Sequence, residues 1–226
     1  MNKDVIIALD FKNKDEALNF LKQFKSSVYV KIGMELYYSE GPNIIKEIKA
    51  LNHKIFLDLK LHDIPNTVAS AMRVLKNLDV DIVNVHCAGG IKMMKAAKEV
   101  FKDTNTKVIA VTQLTSTSQE MLTNELLIKE DINDVIVNYA RLAYEAGLDG
   151  VVCSPLEAKI IHNNINKDFL TICPGIRYES GKDDQVRITT PSKAKELTCD
   201  YIVVGRPITK ANDSLAMYKQ IKKEFI

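Results

Sequence analysis

The chain alternates eight times between a short apolar run and a segment with helical spacing of apolar residues, and this alternation constrains the fold more than any other feature. Strands that alternate with helices form parallel sheets, because each helix returns the chain to the start of the next strand. No linker interrupts the series, and the G-x-G-x-x-G of an open dinucleotide-binding sheet is missing after the first run. We therefore predict an α/β fold, a TIM (β/α)8 barrel, with residues 1–226 as a single domain. The predicted strands are residues 5–9, 28–32, 54–59, 81–85, 107–111, 150–153, 169–173 and 201–204.

A helix is predicted after each strand, although residues 112–132 are expected to be irregular before the fifth helix begins. The third helix follows Asp63, which we expect to be its cap, with Pro65 in the first turn. The other helices are predicted at residues 14–24, 42–51, 92–101, 132–146, 155–162, 193–197 and 215–225.

The charge balance argues against a nucleic-acid partner. The chain has 31 Lys and Arg residues against 29 Asp and Glu residues, a formal net charge of +2, and no stretch in which basic and aromatic residues alternate. Its first apolar run, residues 5–9, is too short for a membrane span or for the core of a signal peptide. We therefore expect a soluble, cytoplasmic protein whose anionic partner, if it has one, is a small molecule bound locally.

The four cysteines form no C-x-x-C pair and lie far apart in the sequence. Cysteines of this kind are typical of buried, reduced thiols in a cytosolic protein, so we expect neither a disulfide nor a metal site. They are Cys87, Cys153, Cys173 and Cys199.

Polar side chains lie at or just after the carboxyl ends of the predicted strands. In (β/α)8 barrels this is the face on which binding and catalytic sites are built. The position of these residues therefore supports both the barrel and a site at its mouth. They are Asp10, Lys31, Asp58, Lys60, His86, Thr115, Arg177 and Arg206.

The third strand carries the densest group of charges. Asp58 and Lys60 share one face of the strand, because side chains alternate, and the neighbouring Leu59 lies on the other. A surface ion pair on an edge strand is one interpretation. The apolar neighbours indicate instead a covered, central strand, where charges are costly unless they serve a function. With Lys31 at the end of strand two and Asp63 in the next loop, we expect a cluster of alternating sign.

Lys60 fits a general acid better than a nucleophile. Nearby aspartates favour its ammonium form, since opposite charges stabilise each other. A lysine that forms a Schiff base has to lose that proton. We therefore predict that Lys60 is a cationic hydrogen-bond donor.

The opposite side of the barrel mouth is predicted to bind a phosphate. Gly205 and Arg206 follow the eighth strand, where barrels often carry a phosphate-binding loop, and the guanidinium offers a fork of donors. Arg177 and Gln185, in the charged loop of residues 177–190, could close over the same anion. A helix-capping glycine followed by a surface arginine is the alternative for the first pair.

Taken together, the motifs closely resemble the orotidine 5′-phosphate decarboxylase family, in its bacterial, monofunctional form. They occur in the family's order, and the resemblance runs from Asp4 to the final helix. The motifs are Ala8-Leu9-Asp10, Lys31-Ile32-Gly33, Asp58-Leu59-Lys60-Leu61-His62-Asp63-Ile64-Pro65-Asn66-Thr67, Leu114-Thr115-Ser116, Pro174-Gly175-Ile176-Arg177 and Val204-Gly205-Arg206-Pro207.

The resemblance implies an activity and roles for particular residues. The expected reaction converts orotidine 5′-monophosphate to UMP and CO2, at the end of UMP biosynthesis, by a homodimer without metal or organic cofactor. Lys60 would be the proton donor and Asp58 would lie beside the substrate carboxylate. Lys31 and Asp63 would complete a charged tetrad with them. The other implied substrate contacts are Asp10 with Lys31 at the ribose, Thr115 at the pyrimidine, Gln185, Gly205 and Arg206 at the phosphate, Pro174 and Arg177 beside it, and Asp63, Ile64 and Thr67 in the partner subunit's site.

Two alternatives remain. A sugar-phosphate decarboxylase or aldolase of the same superfamily shares D-x-K-x-x-D but carries a glutamate for Mg²⁺ at the position of Lys31. A barrel that only binds a phosphorylated regulator would keep Gly205 and Arg206 without needing the charges around Lys60.

Overall fold

The computed structural model describes residues 3–178 and 188–226, and the strands in this part of the chain form a closed parallel barrel. Neighbouring strands pair in chain order, and the last pairs with the first, with Ile6 opposite Val203 and Ile7 opposite Val204. The predicted TIM (β/α)8 barrel is therefore confirmed. The strands are β1 (Asp4–Ala8), β2 (Tyr29–Gly33), β3 (Lys54–Leu61), β4 (Ile82–His86), β5 (Lys107–Val111), β6 (Gly150–Val152), β7 (Leu170–Cys173) and β8 (Tyr201–Val204).

Helices surround the barrel. None of those in the described residues is both long enough and apolar enough to cross a membrane. They are α1 (Lys14–Leu21), α2 (Met34–Glu40), α3 (Asn43–Ala50), α4 (Pro65–Lys76), α5 (Gly90–Val100), α6 (Gln119–Asn124), α7 (Ile132–Glu145), α8 (Pro155–Asn164), α9 (Pro191–Glu196), α10 (Arg206–Thr209) and α11 (Ser214–Phe225).

Three of these helices, α2, α6 and α10, were not predicted from the sequence. They contain seven, six and four residues, too few for an apolar stripe to repeat. Helix α6 lies inside residues 112–132, which we expected to be irregular. Its local signal is Ser118, whose side chain accepts a hydrogen bond from the Met121 N–H as an N-cap.

Both faces of the strands are buried. In β1, Ile6 packs inside the barrel, whereas Val5 and Ile7 pack outward against the helices. The barrel interior continues across the other strands with Tyr29 and Phe56. Burial on both faces explains why these strands appear in the sequence as continuous apolar runs rather than as alternating patterns.

The third strand and the helix after it differ from the prediction. Strand β3 continues to Leu61, two residues beyond the predicted end. The expected cap of α4 is wrong: Ile64, not Asp63, is the N-cap residue, and the Asp63 carboxylate accepts a hydrogen bond from the Ile64 N–H instead. The reason is Pro65, which begins the helix and holds the residue before it in an extended conformation.

Aspartates close the end of the barrel opposite the predicted site. Asp81 accepts the Ile55 N–H at 2.8 Å, and Asp149 accepts the Val108 N–H at 2.7 Å. Asp200 does the same for Thr171 at 2.9 Å. Each carboxylate thus binds a backbone donor of the preceding strand, so the charges at this end of the barrel have a structural role.

Candidate active site

A cavity of about 430 Å³ opens at the carboxyl ends of the strands. This volume is in the range of small-molecule sites. Ala8, Phe56 and Val203 of the barrel interior contribute an apolar floor. The predicted site residues that line it are Asp10, Lys31, Asp58, Lys60, Thr115, Pro174, Arg177, Gly205 and Arg206.

Asp58 lies between two lysines. Its Oδ1 is 2.7 Å from the Lys60 Nζ, and its Oδ2 is 3.4 Å from the Lys31 Nζ. The Lys31 Nζ is also 3.3 Å from Oδ1 of Asp10. Asp10, Lys31, Asp58 and Lys60, the charged cluster, therefore form a row of alternating sign along the mouth of β1, β2 and β3.

The contacts within the charged cluster favour the ionised forms of Asp58 and Lys31. Burial alone raises the pKa of Asp58, but the charges of Lys31 and Lys60 and the hydrogen bonds to Asp58 outweigh it, so its pKa lies below the ordinary value. Burial lowers the pKa of Lys31, and the Asp58 and Asp10 charges more than compensate, so its pKa lies above the ordinary value. Asp58 is thus an anion and Lys31 a cation at neutral pH.

The backbone of β3 is irregular at Lys60. Leu57 pairs with Val83 and Leu61 with Val85, so residues 58–60, the β3 bulge, lie opposite the single residue Asn84 of β4. Lys60 has a φ of +52°, a left-handed conformation that non-glycine residues rarely adopt. Such conformations are concentrated at functional sites, where surrounding contacts hold them in place.

The opposite side of the cavity is built by the segments after β7 and β8. The Arg177 N–H donates to the Thr189 carbonyl at 2.9 Å, and the Thr189 N–H donates to the Gly175 carbonyl at 3.0 Å, which ties the two ends of this loop together. A methyl group at Gly205 would meet Ala8 and Asp10 only at 3.5 Å, an ordinary contact. Space within the chain therefore does not by itself require glycine there. The predicted contact Gln185 lies outside the described residues.

Three predicted contacts lie away from this chain's own cavity. Asp63, Ile64 and Thr67 are exposed, Ile64 to 67%, and none is part of the described lining. A role in a partner subunit's site would require such exposure. Their contribution remains a prediction.

Three further residues at the site had no role assigned to them from the sequence. Asn84 is 1% exposed and donates from Nδ2 to Oδ1 of Asp58 at 2.7 Å. Gln113 is 6% exposed, lines the cavity, and accepts a long hydrogen bond of 3.4 Å from Thr117. A methyl group at Gly33 would lie 3.2 Å from the Lys31 Nζ, so glycine leaves room for that ammonium group. The signal for the first was a polar residue inside the apolar run 81–85.

Metal ligands do not cluster in the described part of the chain. Within residues 3–178 and 188–226, no group of three or more His, Cys, Asp or Glu side chains is arranged to hold a metal ion. That the reaction proceeds without a metal remains a prediction.

Curated relatives match almost the whole chain. The orotidine 5′-phosphate decarboxylase of Staphylococcus epidermidis is 55% identical over 224 residues, 98% of this chain and 97% of the relative. The enzyme of that name from Staphylococcus aureus is 52% identical, with the same coverage.

Solved structures agree in fold. The orotidine 5′-phosphate decarboxylase of Lactobacillus acidophilus superposes with a TM-score of 0.89 at 42% identity, covering 99% of each chain. An uncharacterized conserved protein from Geobacillus kaustophilus superposes with a TM-score of 0.87 at 45% identity, covering 98% of this chain and 100% of that one. The family model described as orotidine 5′-phosphate decarboxylase / HUMPS matches residues 3–221. The chain belongs to the orotidine 5′-phosphate decarboxylase / HUMPS family.

Proposed function

We propose that the chain converts orotidine 5′-monophosphate to UMP and CO2, the final step of UMP biosynthesis. The observation that carries the proposal is the Asp58 carboxylate held between the Lys31 and Lys60 ammonium groups at the floor of a nucleotide-sized cavity. Relatives with this name at 52–55% identity support it.

The chemistry accounts for the charges. When the C6–carboxylate bond breaks, CO2 leaves and the electron pair stays on C6, in the plane of the ring, where the π system cannot delocalise it. The protein then has to supply positive charge at C6. The Lys60 ammonium group stabilises the carbanion and gives it a proton, forming the C6–H bond of UMP, and regains a proton from solvent.

The neighbours of Lys60 have distinct roles in this proposal. Asp58 lies next to the substrate carboxylate and keeps the two lysines apart. Lys31, which is also bound to Asp10, places that aspartate to accept hydrogen bonds from the ribose. Thr115 and Pro174 both line the cavity. In this proposal Thr115 contacts the pyrimidine and Pro174 lies beside the phosphate.

The reaction is expected to proceed in EDTA. Loss of orotidine 5′-monophosphate absorbance by purified protein tests the proposal, because the sugar-phosphate alternative within the superfamily uses Mg²⁺. The lysine at position 31, where that alternative carries a glutamate, favours the metal-free reaction. Absence of turnover by folded protein, followed by activity on a sugar phosphate after Mg²⁺ is added, would reverse the assignment.

Arg206→Ala is expected to reduce kcat/KM for orotidine 5′-monophosphate about ten- to a hundredfold, the value of one or more charge-assisted hydrogen bonds. Turnover of orotidine, which lacks the phosphate, should change little. Neither the wild type nor the variant can use the binding energy of a phosphate with this substrate. The substrate phosphate would also be contacted by Gly205, Gln185 and Arg177.

Arg141→Ala is the matched control for this measurement, since Arg141 is an exposed arginine of α7 that pairs with Glu145. The two substrates are assayed with all three proteins. Equal losses for both substrates in the Arg206 variant would argue against a phosphate contact.

We also propose a homodimer in which Asp63, Ile64 and Thr67 reach the partner subunit's site. Mixing Lys60→Ala with Asp63→Ala, each nearly inactive alone, should restore about a quarter of wild-type turnover after subunit exchange, since half of the dimers are hybrids and each hybrid has one intact site. If Asp63 served its own chain's site, every hybrid site would carry a defect and no activity would return. Ultracentrifugation of the wild type checks the dimer itself.

We infer, finally, that residues 1–226 form one domain and that the protein is cytoplasmic. The barrel from β1 to α11, matched by the family model over residues 3–221, supports the first statement. All four cysteines are buried and free, which supports a reducing compartment.

A further inference from the structure

Asn84 joins two parts of the site with one side chain. Its Nδ2 donates to Oδ1 of Asp58 at 2.7 Å, and its Oδ1 accepts from the backbone N–H of Lys60 at 2.8 Å. At 1% exposed, the amide has no access to bulk water. Both of these side-chain hydrogen bonds of Asn84 therefore end on charged residues of the site, Asp58 and Lys60.

The β3 bulge explains why such a residue is needed. Because the pairing with β4 is interrupted from Leu57 to Leu61, the Lys60 N–H has no regular ladder partner. A buried N–H without an acceptor is costly, and Asn84 supplies the acceptor from the strand opposite. The same contact holds Lys60 in its left-handed conformation, which sets the direction in which its side chain leaves the backbone.

The second hydrogen bond orients the carboxylate. Oδ1 of Asp58 receives both the Asn84 amide and the Lys60 ammonium group, each at 2.7 Å, which leaves Oδ2 directed to Lys31. Rotation of the carboxylate would break the Asn84 contact. Backbone and carboxylate are thus held by one rigid group on β4.

We propose that Asn84 is a positioning residue that places the Lys60 ammonium group and the Asp58 carboxylate for decarboxylation. The inference rests on the proposed function and deepens it. Asn84 itself is not part of the described cavity lining and acts through its two partners. Its removal should therefore affect the chemical step more than nucleotide binding, most of which is assigned to the phosphate side of the cavity.

Asn84→Ala is the first test. We expect kcat to fall by about 10²-fold, the usual cost of a reacting group misplaced by about 1 Å, with KM changed less than about threefold. The matched control is Thr171→Val, which removes a hydrogen bond to Asp200 from an equally buried residue of β7, at the end of the barrel opposite the site. That variant is expected to lose stability and keep kcat.

Asn84→Asp, which keeps the shape of the side chain, is the second test. Its readout is the pH dependence of kcat relative to wild type, which a purely structural role of Asn84 would leave unchanged. Its ionised carboxyl can still accept the Lys60 N–H but repels Asp58, whereas the protonated form can donate to Asp58 again. Two carboxyl groups in contact cannot readily both ionise. The kcat of this variant, divided by that of wild type at the same pH, should therefore rise at least about tenfold between about pH 9 and about pH 6.

The titratable groups around this position are Asp58 and Lys60 from β3, Lys31 from β2 and His86 from β4 itself, on which His62 stacks. The pKa of Asp58 is lowered and that of Lys31 raised. Burial, followed by the charges of His62 and Lys60, lowers the pKa of His86, which favours its neutral form. Dividing the kcat of the variant by the wild-type kcat at each pH cancels the effect of titration of the substrate phosphate, which is the same for both proteins.

The outcomes separate the two levels of the proposal. An inactive wild type overturns both the proposed function and this inference. An active wild type with Asn84→Ala within about threefold in kcat, or with a pH-independent ratio for Asn84→Asp, overturns the positioning role alone. If Asn84→Ala does not fold, the isosteric Asn84→Asp decides.

Discussion

Lys60→Met is expected to lower kcat for decarboxylation by about 10⁴-fold or more, because it removes both the proton donor and the positive charge at C6. Methionine keeps the length and apolar stem of lysine. Methionine, like lysine, is unbranched at Cβ, so the left-handed backbone conformation at this position is no more strained in the variant. The measurement is the initial rate of substrate loss at saturating nucleotide.

The control for this variant is Lys98→Met. Lys98 is 27% exposed against 28% for Lys60, and it pairs with Asp149 at 2.6 Å on the outside of the barrel. It should keep near-wild-type turnover. A Lys60 variant with more than about one per cent of wild-type kcat would exclude Lys60 as the essential acid, since general-acid catalysis alone contributes at least about a hundredfold.

Asp58→Asn is expected to lower kcat by about 10³-fold, since the neutral amide no longer balances the two lysines. Asp58 is the largest of the charges that raise the pKa of Lys31, so that pKa should fall in the variant. The folded state should also lose about 1–3 kcal/mol, because both Lys31 and Lys60 lose a buried counter-ion. Asp149→Asn, which loses an ion pair away from the site, is the control.

The stability loss in Asp58→Asn should depend on pH. The pKa of Asp58 is lower in the folded chain than in the unfolded chain, so its contribution is complete above the unfolded pKa and is lost as the pH falls through the folded one. Urea unfolding should therefore give a constant difference between wild type and variant from about pH 5 to about pH 8, shrinking below about pH 4. A difference that grows in acid would contradict the charge assignment.

Local sequence was sufficient for most of the architecture. Each strand is an apolar run buried on both faces, so its position could be predicted from the local sequence. The observed strands differ from the predicted ones by at most two residues at either end, and β5 and β8 match their predicted bounds. Short elements such as α6 and α10 were missed, because so few residues carry no periodicity. The cap of α4 differs from the prediction because Pro65 holds Ile64 in an extended conformation, and this restriction outweighs the capping preference of Asp63.

The sequence by itself determined the barrel and the identity of the charged residues at its mouth, since strand periodicity and the position of a residue at a strand end are local properties. Only the tertiary structure decided how those charges are held. The contact between Asn84 and Asp58 joins residues 26 positions apart, and it depends on a break in the β3–β4 register that no local pattern encodes. The lowered pKa of Asp58 likewise depends on Lys31, which comes beside it only when β2 pairs with β3. Long-range pairing therefore decides the electrostatics of the site.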